Sequence, residues 1–388
     1  MPLRYFILML SMLIVTIGQL SNYLYTPSMP AMVRELHTHS TQIQLSLSLP
    51  LITYGLAQLL YGALSDYYGR RKLVLVGLTI FMLGSIVTVL APTIDVLLCG
   101  RMIQGLGVGA VGLTRVINRD VFSGAEFLKM GSYITMVLAL VPILAPLLGG
   151  YIQDYIGWRG NFEFLLIYAV IILILVSLKL PETNANRHPG HPTLKSLMQG
   201  YAWVLSNKRF VAFLCCSLLT FSGEAIYIII APFLLQNELS WSAVAYGWLS
   251  LFSVCGFLIG AIIASRLSHN ILPEKMLKIG SSITLFASLL MLALSWQLNT
   301  WVILLPMSIY MMGMSMITIP CGVAAMTLFT NRIGVAGAVY GSGIMVGSGL
   351  ISCLSTQFHL HNQRPLALIL SGIALTVTFI YSKFIRIK

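Results

Sequence analysis

Residues 62–72 read GALSDYYGRRK. Apolar segments lie on both sides, at about 43–64 and 73–92, and each is long enough to cross the hydrocarbon core of a bilayer. Gly69 permits the tight turn that so short a connection needs. The basic residues that follow are typical of a loop on the cytoplasmic side of a membrane. The stretch therefore indicates two membrane-spanning helices joined by a short, charged turn.

The composition of the whole chain agrees with a membrane protein. Of its 388 residues, 57% are hydrophobic and 9% are charged, whereas soluble domains carry roughly 25% charged residues. A water-soluble globule of this size cannot cover its surface with so few charges. The net charge is +12 because acidic residues are scarce, with 23 Lys and Arg against 11 Asp and Glu. A nucleic-acid partner is therefore not indicated, and we expect a polytopic membrane protein.

Twelve segments have the length of about 20 apolar residues that a transmembrane helix needs. They lie at about 5–27, 43–64, 73–92, 95–115, 131–152, 161–180, 209–232, 243–265, 277–296, 300–322, 334–357 and 365–383. The long polar connection at 181–208 separates the first six from the last six. We therefore expect an N-terminal six-helix bundle at 1–180, a cytoplasmic linker at 181–208 and a C-terminal six-helix bundle at 209–388.

Basic residues predict the orientation in the membrane. With a cytoplasmic N-terminus, nineteen Lys and Arg residues fall on the cytoplasmic side, and only Arg34, Arg159 and Arg364 fall on the opposite side. This asymmetry follows the positive-inside rule. We therefore expect both termini and the linker in the cytoplasm.

Three motifs together resemble those of the major facilitator superfamily. Residues 62–72 are similar to its loop signature G-x-L-x-D-R-x-G-R-[RK], with Tyr67 where the family usually has Arg. Residues 98–107, LCGRMIQGLG, resemble the l-x-x-R-x-x-Q-G-x-G motif of span 4. Residues 145–150, APLLGG, resemble the G-P-x-x-G-G end of the antiporter motif of span 5, with Ala145 in place of the first glycine. The resemblance implies an all-α membrane fold of twelve transmembrane helices in two pseudo-symmetric six-helix bundles.

Four shorter segments resemble the bicyclomycin-resistance type (Bcr/CflA) of drug exporter within that superfamily. They are PSMP at 27–30, QLLYG at 58–62, RD at 119–120 and GWR at 157–159. The match covers most of the first half of the chain and is weak in the second. Relatives of this type often have an acidic residue near the end of span 1, where this chain has Asn22 and Tyr23. A coupling role at that position is therefore not carried over.

The motifs imply two conformational elements. The first is a gate formed by Gly62, Asp66, Gly69, Arg70 and Arg71. We expect Asp66 to lie near the start of span 11, at about Arg332 to Gly337, because the positive end of a helix attracts a carboxylate. The second is a close, bendable helix contact formed by Ala145, Pro146, Gly149 and Gly150.

Two ionisable residues lie well inside predicted spans, Arg101 on span 4 and Glu224 on span 7. Burying a charge in a membrane is costly, so such residues indicate function. At a rise of 1.5 Å per residue they are about 9 Å and about 13 Å from the outer ends of their spans. In the implied fold both spans line a central cavity, where the two residues can meet. We predict that Glu224 exchanges protons and that Arg101, always charged, modulates this exchange. The alternative is a fixed ion pair or a hydrated glutamate without a transport role.

Aromatic and methionine side chains suit apolar or cationic organic ligands. The predicted substrate contacts are Tyr23, Tyr25, Tyr54, Gln104, Phe221, Tyr227, Tyr246 and Met312. For the methionine, ordinary packing against helices or lipid is the alternative interpretation.

We therefore predict a secondary transporter of the bacterial inner membrane that exports small organic molecules in exchange for protons by alternating access. The sequence contains no G-x-x-x-x-G-K-[ST] nucleotide-binding loop, so the energy has to come from an ion gradient; sodium in place of protons stays open. One alternative is a dedicated exporter or importer of a single metabolite, such as a siderophore or an amino-acid derivative. Another is a non-transporting sensor or scaffold. We expect no enzymatic activity, metal or cofactor, and a monomer whose partners are substrate, protons and lipid.

Overall fold

The computed structural model of the chain describes residues 3–184, 194–268, 270–329, 333–357 and 362–385, and within these ranges the chain is helical without a β-strand. The helices of the first half are α1 (Leu3–Tyr23), α2 (Met29–Glu35), α3 (Ser40–Tyr68), α4 (Arg70–Val89), α5 (Ile94–Val108), α6 (Leu113–Val121), α7 (Gly124–Tyr155) and α8 (Trp158–Lys179). Those of the second half are α9 (Leu194–Leu205), α10 (Lys208–Phe233), α11 (Ala243–Leu267), α12 (Pro273–Ala293), α13 (Thr300–Thr327), α14 (Ile333–Ser355) and α15 (Arg364–Ile380).

Twelve helical segments within the described ranges are long and apolar enough to cross a membrane. Two of these combine neighbouring helices: Leu3–Glu35 contains α1 and α2, and Ile94–Val121 contains α5 and α6. Helix α9 is too short to span a bilayer, since twelve residues extend only about 18 Å. The predicted all-α membrane fold with twelve spans is confirmed.

The chain divides into two compact units, Met1–Leu197 and Met198–Lys388. In the first unit the main helix pairs are α4 with α5, α3 with α5, α1 with α7, and α4 with α8. In the second unit they are α12 with α13, α11 with α13, α10 with α14, and α12 with α15. In order of spans, these are the same four pairings, so the units share one packing plan, to which the second unit adds an extensive contact of α10 with α13.

A pair of glycines marks the same close helix contact in each unit. A Cβ on Gly77 of α4 would lie 3.0 Å from the carbonyl oxygen of Gly107 on α5, and a Cβ on Gly280 of α12 would lie 2.8 Å from that of Gly313 on α13. Helices without a side chain at the crossing can bring their backbones together, and in a bilayer this packing replaces the hydrophobic drive that water supplies elsewhere. The repeat therefore extends to individual contacts.

Gly149 of α7 lies against the chain just after α1. A Cβ at this position would overlap the carbonyl oxygen of Leu24. Asn161 of α8 donates through Nδ2 to the Gly149 carbonyl at 3.3 Å and to Ser28 Oγ at 2.8 Å. Three segments thus meet at one glycine, and its neighbours in the motif, Ala145, Pro146 and Gly150, are all buried.

We expect Gly149→Leu to destabilise the first unit, because a side chain has no room where two backbones touch. Overpacking of this kind costs about 1–3 kcal/mol. The measurement is the thermal unfolding midpoint of the detergent-purified protein. Gly131→Leu is the matched control, because a Cβ on Gly131 of the same helix meets no atom within 4 Å among the described residues. Equal midpoints for the two variants would show that the Gly149 contact is ordinary packing.

Candidate functional site

Arg101 lies on α5 with its side chain fully buried (0% exposed). Its Nε donates to the Ser46 carbonyl at 2.9 Å. Its Nη1 donates to Ser21 Oγ at 3.1 Å and to Gln104 Oε1 at 2.6 Å, and its Nη2 donates to the Ser21 carbonyl at 3.0 Å. No ion pair within 4 Å in the described part of the chain involves Arg101. Its charge is therefore balanced by carbonyl, hydroxyl and amide oxygens.

Pro50 explains why α3 offers a free carbonyl to this arginine. Proline has no amide hydrogen, so the carbonyl four residues earlier in the helix loses its usual partner. That carbonyl belongs to Ser46, and Arg101 Nε occupies it. Ser46 Oγ also lies 3.1 Å from the Tyr25 hydroxyl. One proline thus creates the acceptor that a buried cation needs.

Two aromatic rings lie against the guanidinium. Arg101 Cζ is 4.5 Å from the ring centroid of Tyr25 and 5.9 Å from that of Phe162. Both rings are fully buried, and their centroids are 5.3 Å apart. A cation–π contact without water contributes about 2 kcal/mol or more. The rings therefore offset part of the cost of removing the charge from water.

Gln104 extends the network to α4. Its Oε1 accepts from Arg101, while its Nε2 donates to Ser85 Oγ at 2.9 Å and to Thr88 Oγ1 at 3.5 Å. We define the Arg101 cluster as Arg101, Gln104, Ser21, Tyr25, Ser46 and Ser85. The cluster joins α3, α4 and α5 to the end of the first span, and it brings together three of the predicted site residues: Arg101, Gln104 and Tyr25.

A second charged group forms at the turn between α3 and α4. The Arg70 side chain is only 6% exposed. Its Nη1 lies 2.6 Å from Asp66 Oδ1 and donates to Ser65 Oγ at 2.7 Å, while its Nε lies 3.4 Å from Asp120 Oδ2. Arg71 donates through Nη2 to the Ser177 carbonyl of α8 at 2.7 Å. We call Asp66, Arg70, Arg71 and Asp120 the charged turn.

The two motif glycines behave differently. Gly69 lies between the last residue of α3 and the first residue of α4. Its φ is 96°, a backbone conformation that residues with a side chain rarely adopt, so glycine is needed there. At Gly62, by contrast, a Cβ would meet no atom within 4 Å among the described residues, and its part in the gate stays a prediction. The close contacts of α3 lie elsewhere: a Cβ on Gly105 would lie 2.5 Å from the Pro50 carbonyl oxygen, and a Cβ on Gly109 would lie 2.6 Å from the Ala57 Cβ.

Sequence reasoning missed the segment after α8, which folds back onto the charged turn. Glu182 Oε1 accepts the backbone N–H of Arg70, the first residue of α4, at 2.9 Å and that of Asn184 at 3.0 Å. Asn184 Nδ2 donates to the Asp66 carbonyl at 3.1 Å. A carboxylate at the start of a helix satisfies a backbone donor and the positive end of the dipole. The available signal was the position of Glu182 directly after a span, because the chain has only 11 Asp and Glu residues and an acid at such a place is expected to have a polar partner.

Glu224 lies on α10, partly buried between buried neighbours. One turn earlier, the Thr220 backbone carbonyl accepts a hydrogen bond from the Tyr310 hydroxyl of α13 at 3.4 Å. A Cβ on Gly223, the residue before Glu224, would overlap this hydroxyl. One turn later, Tyr227 is buried and accepts from Ser253 Oγ of α11 at 3.0 Å. The glutamate therefore lies in a polar seam of α10, α11 and α13.

The other predicted substrate residues have different environments. Tyr246 is buried on α11, whereas Tyr23, Tyr54 and Phe221 are half-buried. Met312 lines a groove with residues of α12 on the surface of the second unit. The meeting of Arg101 with Glu224 stays a prediction. So does the pairing of Asp66 with the start of span 11, whose residue 332 lies outside the described ranges.

Comparison with known proteins connects these motifs with a family. Residues 11–352 match the sequence profile of the Major Facilitator Superfamily. The chain is 28% identical over 374 residues to multidrug resistance protein D of Escherichia coli (strain K12), covering 96% of this chain and 93% of that protein. It is 21% identical over 347 residues to a bicyclomycin resistance protein homolog of Haemophilus influenzae (strain Rd), covering 88% and 87%.

A solved structure shows the same fold. The xylose transporter XylE from E. coli, in a partially occluded inward-open conformation, matches with a TM-score of 0.78 at 15% sequence identity. The match covers 100% of this chain and 98% of that one. The likeness in architecture thus extends over the whole chain.

We expect Glu182→Ala to loosen the start of α4, because the Arg70 amide loses its acceptor. Loss of such a cap costs about 0.5–2 kcal/mol. Hydrogen–deuterium exchange of peptides that contain residues 66–74 should become faster in the purified variant. Glu163→Ala is the control, because this acid is exposed on α8. Unchanged exchange in Glu182→Ala would show that the contact does not hold the turn.

Proposed function

The chain belongs to the major facilitator superfamily, and we propose that it exports small organic molecules from the cell in exchange for protons. It is a multi-pass membrane transporter and not an enzyme. Two relatives that match along most of its length are named for resistance to drugs or to bicyclomycin. Resistance by transport requires that the compound leaves the cell, which favours export of molecules of this class.

The observation on which the proposal rests is the position of Glu224. At 1.5 Å per residue it is about 13 Å from the nearer end of α10. A carboxylate at such a depth is costly and calls for a functional explanation. Protonation removes the charge, and the Tyr310 hydroxyl, Thr220 and the Tyr227–Ser253 pair give the site polar neighbours. Glu224 is accordingly our candidate for the proton-exchanging group.

Arg101 has a different role in this proposal. A guanidinium keeps its proton in proteins, so Arg101 is a fixed positive charge. The Arg101 cluster holds it with oxygen acceptors and two aromatic rings. Proton coupling then needs one variable charge, Glu224 in the second unit, and one constant charge, Arg101 in the first.

The charged turn is our candidate for the conformational gate. Arg70 contacts two carboxylates, Asp66 on its own turn and Asp120 at the end of α6, and its amide is held by Glu182. Movement of Asp66 has to break the ion pair with Arg70, so the turn has discrete bonded and broken states. In the orientation proposed from the basic residues, the turn lies on the cytoplasmic side of a bacterial inner membrane, together with both termini.

The half-buried aromatic residues among the predicted contacts are our candidates for substrate contact. Tyr23, Tyr54 and Phe221 are half-buried, so each residue retains some exposed surface. Tyr25 and Gln104 are instead fully buried in the Arg101 cluster and act on substrate only through it. Accessible rings suit apolar and cationic organic molecules.

Reconstituted protein tests the proposal through Glu224. An inward gradient of about one pH unit supports about a tenfold substrate gradient when one proton is exchanged per molecule. We expect wild-type proteoliposomes to drive efflux of bicyclomycin, or of another antibiotic from a panel, in proportion to this gradient. Glu224→Gln keeps the shape but fixes the neutral form, so efflux should no longer respond to the gradient. Glu224→Asp should keep partial coupling with a shifted pH optimum.

Glu163→Gln is the matched control, because it removes an acid that is exposed on α8. It should retain gradient-driven efflux. Full gradient dependence in Glu224→Gln would overturn the assignment of this residue. Efflux that follows a sodium gradient and ignores the pH gradient in the wild type would overturn proton exchange itself.

A further inference from the structure

A groove of about 610 Å³ runs between α12 and α13 on the surface of the second unit. From α12 it is lined by Lys278, Ser282, Ile283 and Phe286, and from α13 by Ile309 and Met312. Residues 278, 282 and 286 are four apart and share one face of the helix. The groove is therefore open to the surface and mostly apolar, it runs along the helix axis, and Lys278 lies at one end of it.

Lys278, Ser282 and Phe286 are exposed even though they lie within a predicted span, whereas the lining residues Ile283, Ile309 and Met312 are half-buried. Phe286 is 59% exposed, although its helix is one of the twelve membrane-crossing segments. In a bilayer such exposure means contact with lipid. The Ser282 hydroxyl donates to the Lys278 carbonyl at 3.0 Å, so it is already satisfied and leaves the middle of the groove apolar in character.

The Lys278 ammonium is the polar feature that distinguishes this groove. It is exposed, and none of the ion pairs within 4 Å among the described residues involves it. Glu274, one turn earlier, is the acid of α12, and Lys275 beside it is also exposed and basic. Lys278 lies about 8 Å along the helix from Pro273, a distance from which a lysine reaches the membrane surface. The positive end of the α12 dipole points to the same side.

We propose that this groove binds an anionic phospholipid, with the phosphate on Lys278 and one acyl chain along Ile283, Phe286, Ile309 and Met312. Basic pockets between transmembrane helices on the cytoplasmic side bind anionic head groups, and the orientation proposed above places Lys278 on that side. A chain with a charge at one end and an apolar tail matches both parts of the groove. The site also accounts for Met312 as a lipid contact.

A phosphatidylglycerol with a photoactivatable acyl chain tests the site in the full-length detergent-purified protein. The readout is the yield of cross-links to peptides of α12 and α13, measured by mass spectrometry as lipid is titrated. Phosphatidylethanolamine with the same acyl chains is the comparison lipid. We expect phosphatidylglycerol to bind more tightly, and Lys278→Gln to weaken its binding about fivefold. Lys275→Gln is the matched control, since this lysine does not line the groove, and it should stay close to wild type.

Filling the groove provides a second, independent arm. Ser282→Trp should reduce cross-linking of both lipids at these peptides, because the ring occupies the path of the acyl chain. Leu289→Trp should not, since Leu289 is exposed on the same helix outside the groove. Equal binding of the two lipids, or an equal loss in Lys275→Gln and Lys278→Gln, would overturn the charged site. Displacement of the lipid by bicyclomycin would assign the groove to exported molecules instead.

Discussion

The hydrocarbon core of a bilayer contains no water, so every polar or charged group placed there needs a partner within the protein. Arg101 is the most demanding case in this chain, because it is charged and fully buried. Pro50 leaves the Ser46 carbonyl free to accept from Arg101. The Ser21 hydroxyl and carbonyl and the Gln104 side-chain oxygen are its other acceptors. The Arg101 cluster thereby joins α3, α4 and α5 to the first span.

The two units repeat the same helix pairings but differ in their polar groups. Both have a glycine pair at the corresponding crossing, Gly77 with Gly107 and Gly280 with Gly313. The first unit places a permanent cation at its centre, whereas the second places an acid, Glu224, among hydroxyl groups. The two units thus share a packing plan and differ in the charge that each holds within it. This difference is the physical basis of the proposed proton exchange.

Much of the fold could be predicted from the sequence, because length and hydropathy alone determine which segments can cross a bilayer. The link between Arg101 and Gln104 follows from their spacing of three residues on one helix. The partners on other helices, Ser21 and Ser46, could not be predicted, because they depend on how each span is rotated. Pro50 was a usable signal, since a proline inside a helix leaves the carbonyl four residues earlier without its usual hydrogen-bond donor.

Two local interpretations needed the structure. A Cβ on Gly62 meets no atom within 4 Å among the described residues, whereas the close contacts of α3 lie at Pro50 and Ala57, opposite Gly105 and Gly109. Glu182 was read as part of a polar linker, but its carboxylate folds back to the start of α4. In both cases the residue type was informative, while its partner was set by tertiary packing that periodicity does not contain.

Under the proposed proton exchange, binding of substrate displaces the proton of Glu224, and calorimetry measures this displacement without transport. Binding of an exported compound to the purified protein can be measured in two buffers that differ in ionisation enthalpy, which yields the number of protons released on binding. A proton is released on binding whenever the free protein holds a proton that the complex with the compound does not. The account predicts a release of up to about one proton in the wild type, falling to near zero in Glu224→Gln. Equal release from both proteins would contradict it.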